Sequence, residues 1–192
     1  ADSDTVDPHK WFFRPYEMGC LLVRDYKWLS QTFTEKPEYL RDIEGNTSEI
    51  NFYDHGIQLT RRFRALKFYM SIKTFGLESF REAIDYSLDL AKKTESILRK
   101  SPYWEVISPA TLGIINFRFH PVDHHLSEKQ LDSINQKISK QIIDSKEAML
   151  VTTTLQKEVV LRMCLINPRT SLQNVKQTLR MCEEFGKSIL SD

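Results

Sequence analysis

Titratable residues that could do covalent chemistry crowd the opening stretch, Ala1-Asp2-Ser3-Asp4-Thr5-Val6-Asp7-Pro8-His9-Lys10-Trp11. Lys10 follows Pro8 and His9 and precedes an aromatic residue. A lysine amine adds to a carbonyl group as a neutral base. At its ordinary pKa of about 10.4 it is a poor nucleophile, whereas a desolvated lysine held against a partner is a good one. By spacing alone Pro8-His9-Lys10-Trp11 is a weak signal that a solvated lysine would satisfy. A second group lies at Phe52-Tyr53-Asp54-His55, ahead of Thr60, Arg61, Arg62 and Arg64. These arginines could bind an anion, or be solvated or ion-paired. His124 and His125, with His120 beside Pro121, look like a metal pair, but no Cys or carboxylate spacing completes a site. Exposed loop histidines and no metal are expected.

The elements that must position these residues change along the chain. Met18–Val23 reads as a buried strand, a short apolar run between a Pro-Tyr turn and Arg24-Asp25. A short helix is expected over 26–31. Residues 32–59 form a long polar segment with Pro37, Gly45 and Gly56, and loops of this length are more often functional than idle. From Arg61 the period is helical, with Phe63, Leu66 and Phe75 on one stripe and Gly76 as a stop. A second helix carries Phe80, Ile84, Leu88, Ala91 and Leu98 up to Ser101-Pro102. Beyond it come strands at 104–107 and 112–119, and a helix capped by Ser127 and Gln130. A hairpin over 149–155 and 158–165 and a last helix capped by Thr170 and Gln173 follow. Helices covering a mainly antiparallel sheet, an α+β sandwich, is the packing these elements favour.

The run from Asp7 to Trp11 resembles the cofactor-lysine motif of the group II pyridoxal-phosphate (PLP) amino-acid decarboxylases. The resemblance continues through Arg14-Pro15-Tyr16-Glu17-Met18-Gly19-Cys20 and through Gln58-Leu59-Thr60-Arg61-Arg62-Phe63-Arg64, and it covers essentially the whole chain. It implies an α/β, fold-type I PLP-dependent transferase fold, of which this chain is the C-terminal portion. Residues 1–76 would be the end of the large domain, 77–101 a linking helix, and 102–192 the small α+β domain. It further implies that Lys10 carries PLP as an aldimine, that His9 contacts the phosphate, and that Asp7 and Ser3 lie on the phosphate side. Residues 32–59 match the catalytic loop, which closes over the substrate and carries a proton-donating tyrosine in aromatic amino-acid decarboxylases. Counted back from Arg61-Arg62, that tyrosine's place is Phe52, with Tyr53 beside it. Tyr53 or His55 is then the expected donor. Thr60 falls where relatives vary with substrate ring type.

The implied activity is decarboxylation of an L-amino acid, aromatic by preference, to the amine and carbon dioxide. Two alternatives stay open: an aldehyde-forming oxidative decarboxylase, because of Phe52, or a non-catalytic half kept for assembly or regulation. The pyridine-nitrogen aspartate and the ring-stacking histidine would lie upstream of Lys10. The expected partners are therefore the N-terminal half of the same enzyme and a second copy, forming a homodimer.

The bulk numbers agree with an ordinary globular protein. Hydrophobic residues make up 41% and charged residues 28% of 192. With Lys plus Arg at 27 and Asp plus Glu at 26, a net charge of +1 gives no argument for nucleic acid or an anionic membrane as partner. No apolar run approaches the roughly 20 residues of a membrane span. Cys20, Cys164 and Cys182 are odd in number and widely spaced in apolar patterns, which favours buried reduced thiols and a cytoplasmic compartment.

Overall fold

A computed structural model describes residues 1–35 and 50–191, and these form two compact units, Ala1–Leu77 and Glu78–Asp192. In the first, β1 (Ser3–Val6) and β2 (Cys20–Val23) pair antiparallel, with Ser3 opposite Val23 and Val6 opposite Cys20. The short helix α1 (Lys27–Phe33) follows, and a 3-10 turn at Phe52–His55 packs beside it. The apolar run expected to be buried is so only in part: Met18 is buried, but Leu21 and Leu22 are 52% and 56% exposed. A two-stranded ribbon has no apolar cover of its own, and the described residues of this unit supply none.

Helix α2 (Arg64–Lys100) is interrupted at Gly76, whose φ of 77° and ψ of 155° lie outside the helical region. Glycine has no Cβ to clash there, so the sequence's expected stop is a true break. Phe63, Leu66, Tyr69 and Met70 on the arm before it are exposed, whereas Leu90, Ala91 and Leu98 on the arm after it are buried. These last three belong to the core of the second unit.

That core lies on one face of a four-stranded antiparallel sheet, in the order β3 (Trp104–Thr111), β4 (Ile114–Phe119), β6 (Glu158–Cys164), β5 (Val151–Leu155). Residues alternate across the pleat, so Ile115, Phe117 and Phe119 share a face with Leu161 and Met163. The stripes of α2, α3 (Glu128–Asp144) and α4 (Leu172–Ser191) complete the cluster with Ile138, Ile142, Val175 and Leu179. Trp104 meets Phe117 and Phe119 edge-on at 5.3 and 5.5 Å. Both hairpins close through two residues of positive φ, Leu112-Gly113 and Gln156-Lys157. Strand β3 runs on to Thr111, past the expected end at 107, through register shifts around Ser108.

Caps set the helix ends. Ser127 and Gln130 make the expected box at α3. At α4 the reciprocal pair is Ser171 and Asn174, at 2.9 and 3.1 Å, one residue later than the Thr170 cap that the sequence suggests. The Asn135 side chain, fully buried, accepts from the Phe119 amide at 2.7 Å and donates to the Phe119 and Leu131 carbonyls. This ties α3 to the end of β4 without leaving its amide unsatisfied.

Gly186 of α4 lies against the Phe119 ring so closely that an added Cβ would meet three ring carbons at 2.7–2.8 Å. Gly186→Ala is therefore expected to destabilise the protein by about 1–3 kcal/mol despite alanine's better helix propensity. Urea unfolding checks this.

Candidate active site

Lys10 lies on a turn fixed by its own backbone, with the Lys10 amide donating to the Asp7 carbonyl at 2.9 Å. Pro8 is buried, and its ring holds φ where the turn requires it. The Lys10 ammonium reaches back to the Asp7 carboxylate at 2.7 Å, and the Lys10 side chain is 61% exposed. The hydrogen bond from Lys10 holds the Asp7 carboxyl below its ordinary value, against a smaller opposing effect of burial. Asp7 thus faces the amine, where its charge is compensated. His9 turns the other way, its Nδ1 at 2.9 Å from the Met18 carbonyl and its ring edge-on to Tyr16 at 5.2 Å. A carbonyl only accepts, so Nδ1 carries the proton, and a contact from Nε2 to an anion needs a proton there too. Ser3 is exposed on β1 opposite Val23.

The second group is built on the 3-10 turn. Tyr53 and His55 are half-buried, and the Tyr26 ring meets His55 edge-on at 6.3 Å. Phe52 is 64% exposed, and the Arg61 guanidinium lies over its ring at 5.7 Å. Thr60 and Arg62 are exposed. Residues 36–49 of the expected catalytic loop lie outside the described residues.

Arg64 connects to Glu17 and Gln58, residues to which the sequence assigned no role. Arg64, the first residue of α2, binds Glu17 Oε1 through Nη2 at 2.6 Å and Nε at 3.2 Å, and directs Nη1 to Gln58 Oε1 at 3.4 Å. One turn on, Lys67 Nζ lies 3.3 Å from the carbonyls of Pro15 and Glu17. The Arg64 hydrogen bond holds the Glu17 carboxyl below its ordinary value. Of the three arginines considered as anion ligands, Arg64 is thus an ion-pair partner. No local pattern could have joined Glu17 to Arg64, because the pairing depends on the fold.

Two further expectations need correcting. His120 is not a solvated loop residue; its Nδ1 lies 2.7 Å from Glu105 Oε2, in a cluster centred on the buried Arg118. Arg118 also binds Glu105 and Glu128 at 2.7 Å and Glu158 at 3.4 Å. Burial pushes the Glu105 carboxyl up, but hydrogen bonds from His120 and Arg118 outweigh it and hold the group below its ordinary value. The alternation that puts Phe117 and Phe119 inward puts Arg118 on the opposite face, facing Glu105 across the ladder. Among the cysteines, only Cys182 is buried, its thiol pushed up to about 12 by burial; Cys20 is half-buried and Cys164 exposed. Among the described residues no cluster of His, Cys, Asp and Glu could hold a metal ion, and no helix is long and apolar enough to cross a membrane.

The profile of the pyridoxal-dependent decarboxylase conserved domain matches residues 1–120, well over half the chain and all of the candidate site. The chain belongs to this family. It is similar to an aromatic-L-amino-acid decarboxylase of Bacillus atrophaeus, at 46% identity over 98% of this chain and 39% of that protein. It is also similar to a phenylacetaldehyde synthase of Arabidopsis thaliana, at 28% identity over 99% of this chain and 39% of that one. A crystal structure of Oryza sativa TDC with PLP and tryptamine superposes with a TM-score of 0.88 at 24% identity, covering 98% of this chain and 39% of that one. The fold of the pyridoxal-dependent decarboxylase chain is thus the α/β fold-type I architecture, and the chain spans about two fifths of the length of these relatives.

The Asp7–Lys10 geometry makes a prediction that needs no substrate. Because Asp7 titrates below the ordinary carboxylate range, the ion pair is present above that range and is lost as pH falls through the lowered value. Asp7→Asn removes the carboxylate that takes up the Lys10 amine. Peptide mapping after reductive methylation at neutral pH is expected to show faster labelling of Lys10 in that variant.

Proposed function

We propose that the chain is the C-terminal portion of a PLP-dependent carboxy-lyase that converts an L-amino acid, aromatic by preference, to its amine and carbon dioxide. The observation that carries this reading is the placement of Lys10 and His9 within a family match that spans residues 1–120. The identity of 46% to an aromatic-L-amino-acid decarboxylase supports the substrate class. The residues present fit the amine-side half of a PLP site: an exposed lysine amine on a constrained turn, and a histidine whose Nδ1 is committed so that Nε2 faces elsewhere.

The cofactor, when bound, supplies the electron sink for the bond that breaks at the substrate Cα. This chain's residues do the rest. Lys10 would hold the cofactor covalently through its side-chain amine. Asp7 keeps the Lys10 amine oriented, and His9 and Ser3 contact the phosphate. The Tyr53 hydroxyl or a His55 ring nitrogen delivers a proton to the Cα from which the carboxylate departs, with Phe52 and Thr60 against the substrate. The aspartate at the pyridine nitrogen and the stacking histidine come from an N-terminal portion preceding Lys10. A homodimer, as the family resemblance implies, completes the proposal, and the cytoplasm is its proposed location.

The test is a panel of L-amino acids offered to the longer protein containing this chain, supplied with PLP. Carbon dioxide and amine are expected in equal amounts, fastest with an aromatic substrate; aldehyde with hydrogen peroxide would instead favour the oxidative alternative raised by Phe52. Loss of the proton donor should lower turnover about 10²-fold. Either Tyr53→Phe or His55→Gln is expected to do so. Full turnover in both would move the role to Tyr39, the other tyrosine of the 32–59 segment, outside the described residues.

A further inference from the structure

The candidate site comes from two stretches distant in sequence, one bearing Lys10 and the other Tyr53 and His55, and chemistry between them needs a fixed separation. We infer that Arg64 is a positioning residue that locks these two stretches together, an inference that rests on the lysine-based reaction proposed above. Its guanidinium presents a rigid fork of donors, able to hold two acceptors at a defined angle. Two of its nitrogens take Glu17 Oε1, at 2.6 and 3.2 Å, and the third points to Gln58 Oε1 at 3.4 Å. The Arg64 side chain is 26% exposed and that of Glu17 50%, so the guanidinium is the more sheltered partner.

The path to the chemistry is short on both sides. Glu17 lies between Tyr16, whose ring packs on His9, and Met18, whose carbonyl binds His9 Nδ1. His9 is bonded in sequence to Lys10. On the other side, Gln58 is three residues beyond His55 and close to the 3-10 turn at Phe52–His55. Lys67 grips the Pro15 and Glu17 carbonyls from the next turn of α2, which fixes the Lys10 side independently of Gln58. Arg64 is therefore the residue that joins the two stretches, and Lys67 supports one of them. A lysine at position 64 could keep the charge on Glu17 but could not hold both acceptors at the fork's angle.

The experiment uses the longer protein loaded with PLP and compares wild type with Arg64→Ala, Arg64→Lys and Gln58→Ala. Backbone hydrogen exchange is read at residues 14–18 and 52–58, together with kcat and KM. Arg64→Ala is expected to raise exchange in both stretches about tenfold and to lower kcat about tenfold, the scale of one pairwise coupling, with KM within about twofold. Arg64→Lys should retain protection at 14–18 and lose it at 52–58. Gln58→Ala, the milder change should the others fail to fold, should raise exchange at 52–58 and lower kcat severalfold. Unchanged exchange at 52–58 in Arg64→Ala or Gln58→Ala overturns the inference, as does wild-type kcat alongside increased exchange. If the wild-type protein decarboxylates but these variants match it, the proposed function stands and the role of Arg64 falls. If the wild type releases no carbon dioxide from any amino acid, the proposed function falls and the exchange data alone decide the coupling.

Discussion

The Glu17–Arg64 ion pair is the contact on which the candidate site depends. A lysine nucleophile and a proton donor on separate stretches are useful together only if something fixes their spacing, because a misplacement of about 1 Å can cost 10²-fold in rate. In the first unit, regular structure contributes little to this: a two-stranded ribbon, one short helix and a 3-10 turn. Side-chain contacts hold the stretches instead, and Arg64 reaches residues of both. An exposed ion pair contributes little to stability, but a guanidinium whose nitrogens reach two side chains gives orientation.

The two units solve the problem of apolar surface differently. The second encloses its aromatic core between sheet and helices, with Phe117 and Phe119 fully buried and a tight Gly186 contact to spare no volume. The first leaves Leu21, Leu22, Ile57, Phe63 and Phe75 more than half exposed. Exposed apolar side chains in that number are the kind of surface that a partner covers. The proposed N-terminal portion of the enzyme would cover it, and would also bring the residues that face the cofactor ring.

Much of the second unit was legible in the sequence because periodicity reports burial directly. The strand expected over 112–119 formed at Ile114–Phe119, and the helix capped by Ser127 and Gln130 formed at Glu128–Asp144. Boundaries moved where local chemistry offered two neighbouring caps, as at Thr170 and Ser171, or where a bulge let β3 continue past Ile107. The Lys10 turn was legible because its determinants are adjacent in the chain. Glu17 with Arg64 and Glu105 with His120 were not, since charged residues far apart in sequence carry no sign of which opposite charge they will meet. The burial expected across Met18–Val23 held at Met18 and failed at Leu21 and Leu22 for a physical reason: an apolar strand is buried only if something lies on its face.

The central claim is that Lys10 carries the cofactor. Its most direct measurement is borohydride reduction of the PLP-loaded longer protein, followed by peptide mass mapping. A single PLP adduct is expected on the peptide containing Pro8-His9-Lys10, with loss of the visible absorption band and none of this in Lys10→Ala. A protein that binds PLP but yields no adduct at Lys10, or yields it on another lysine, would contradict it.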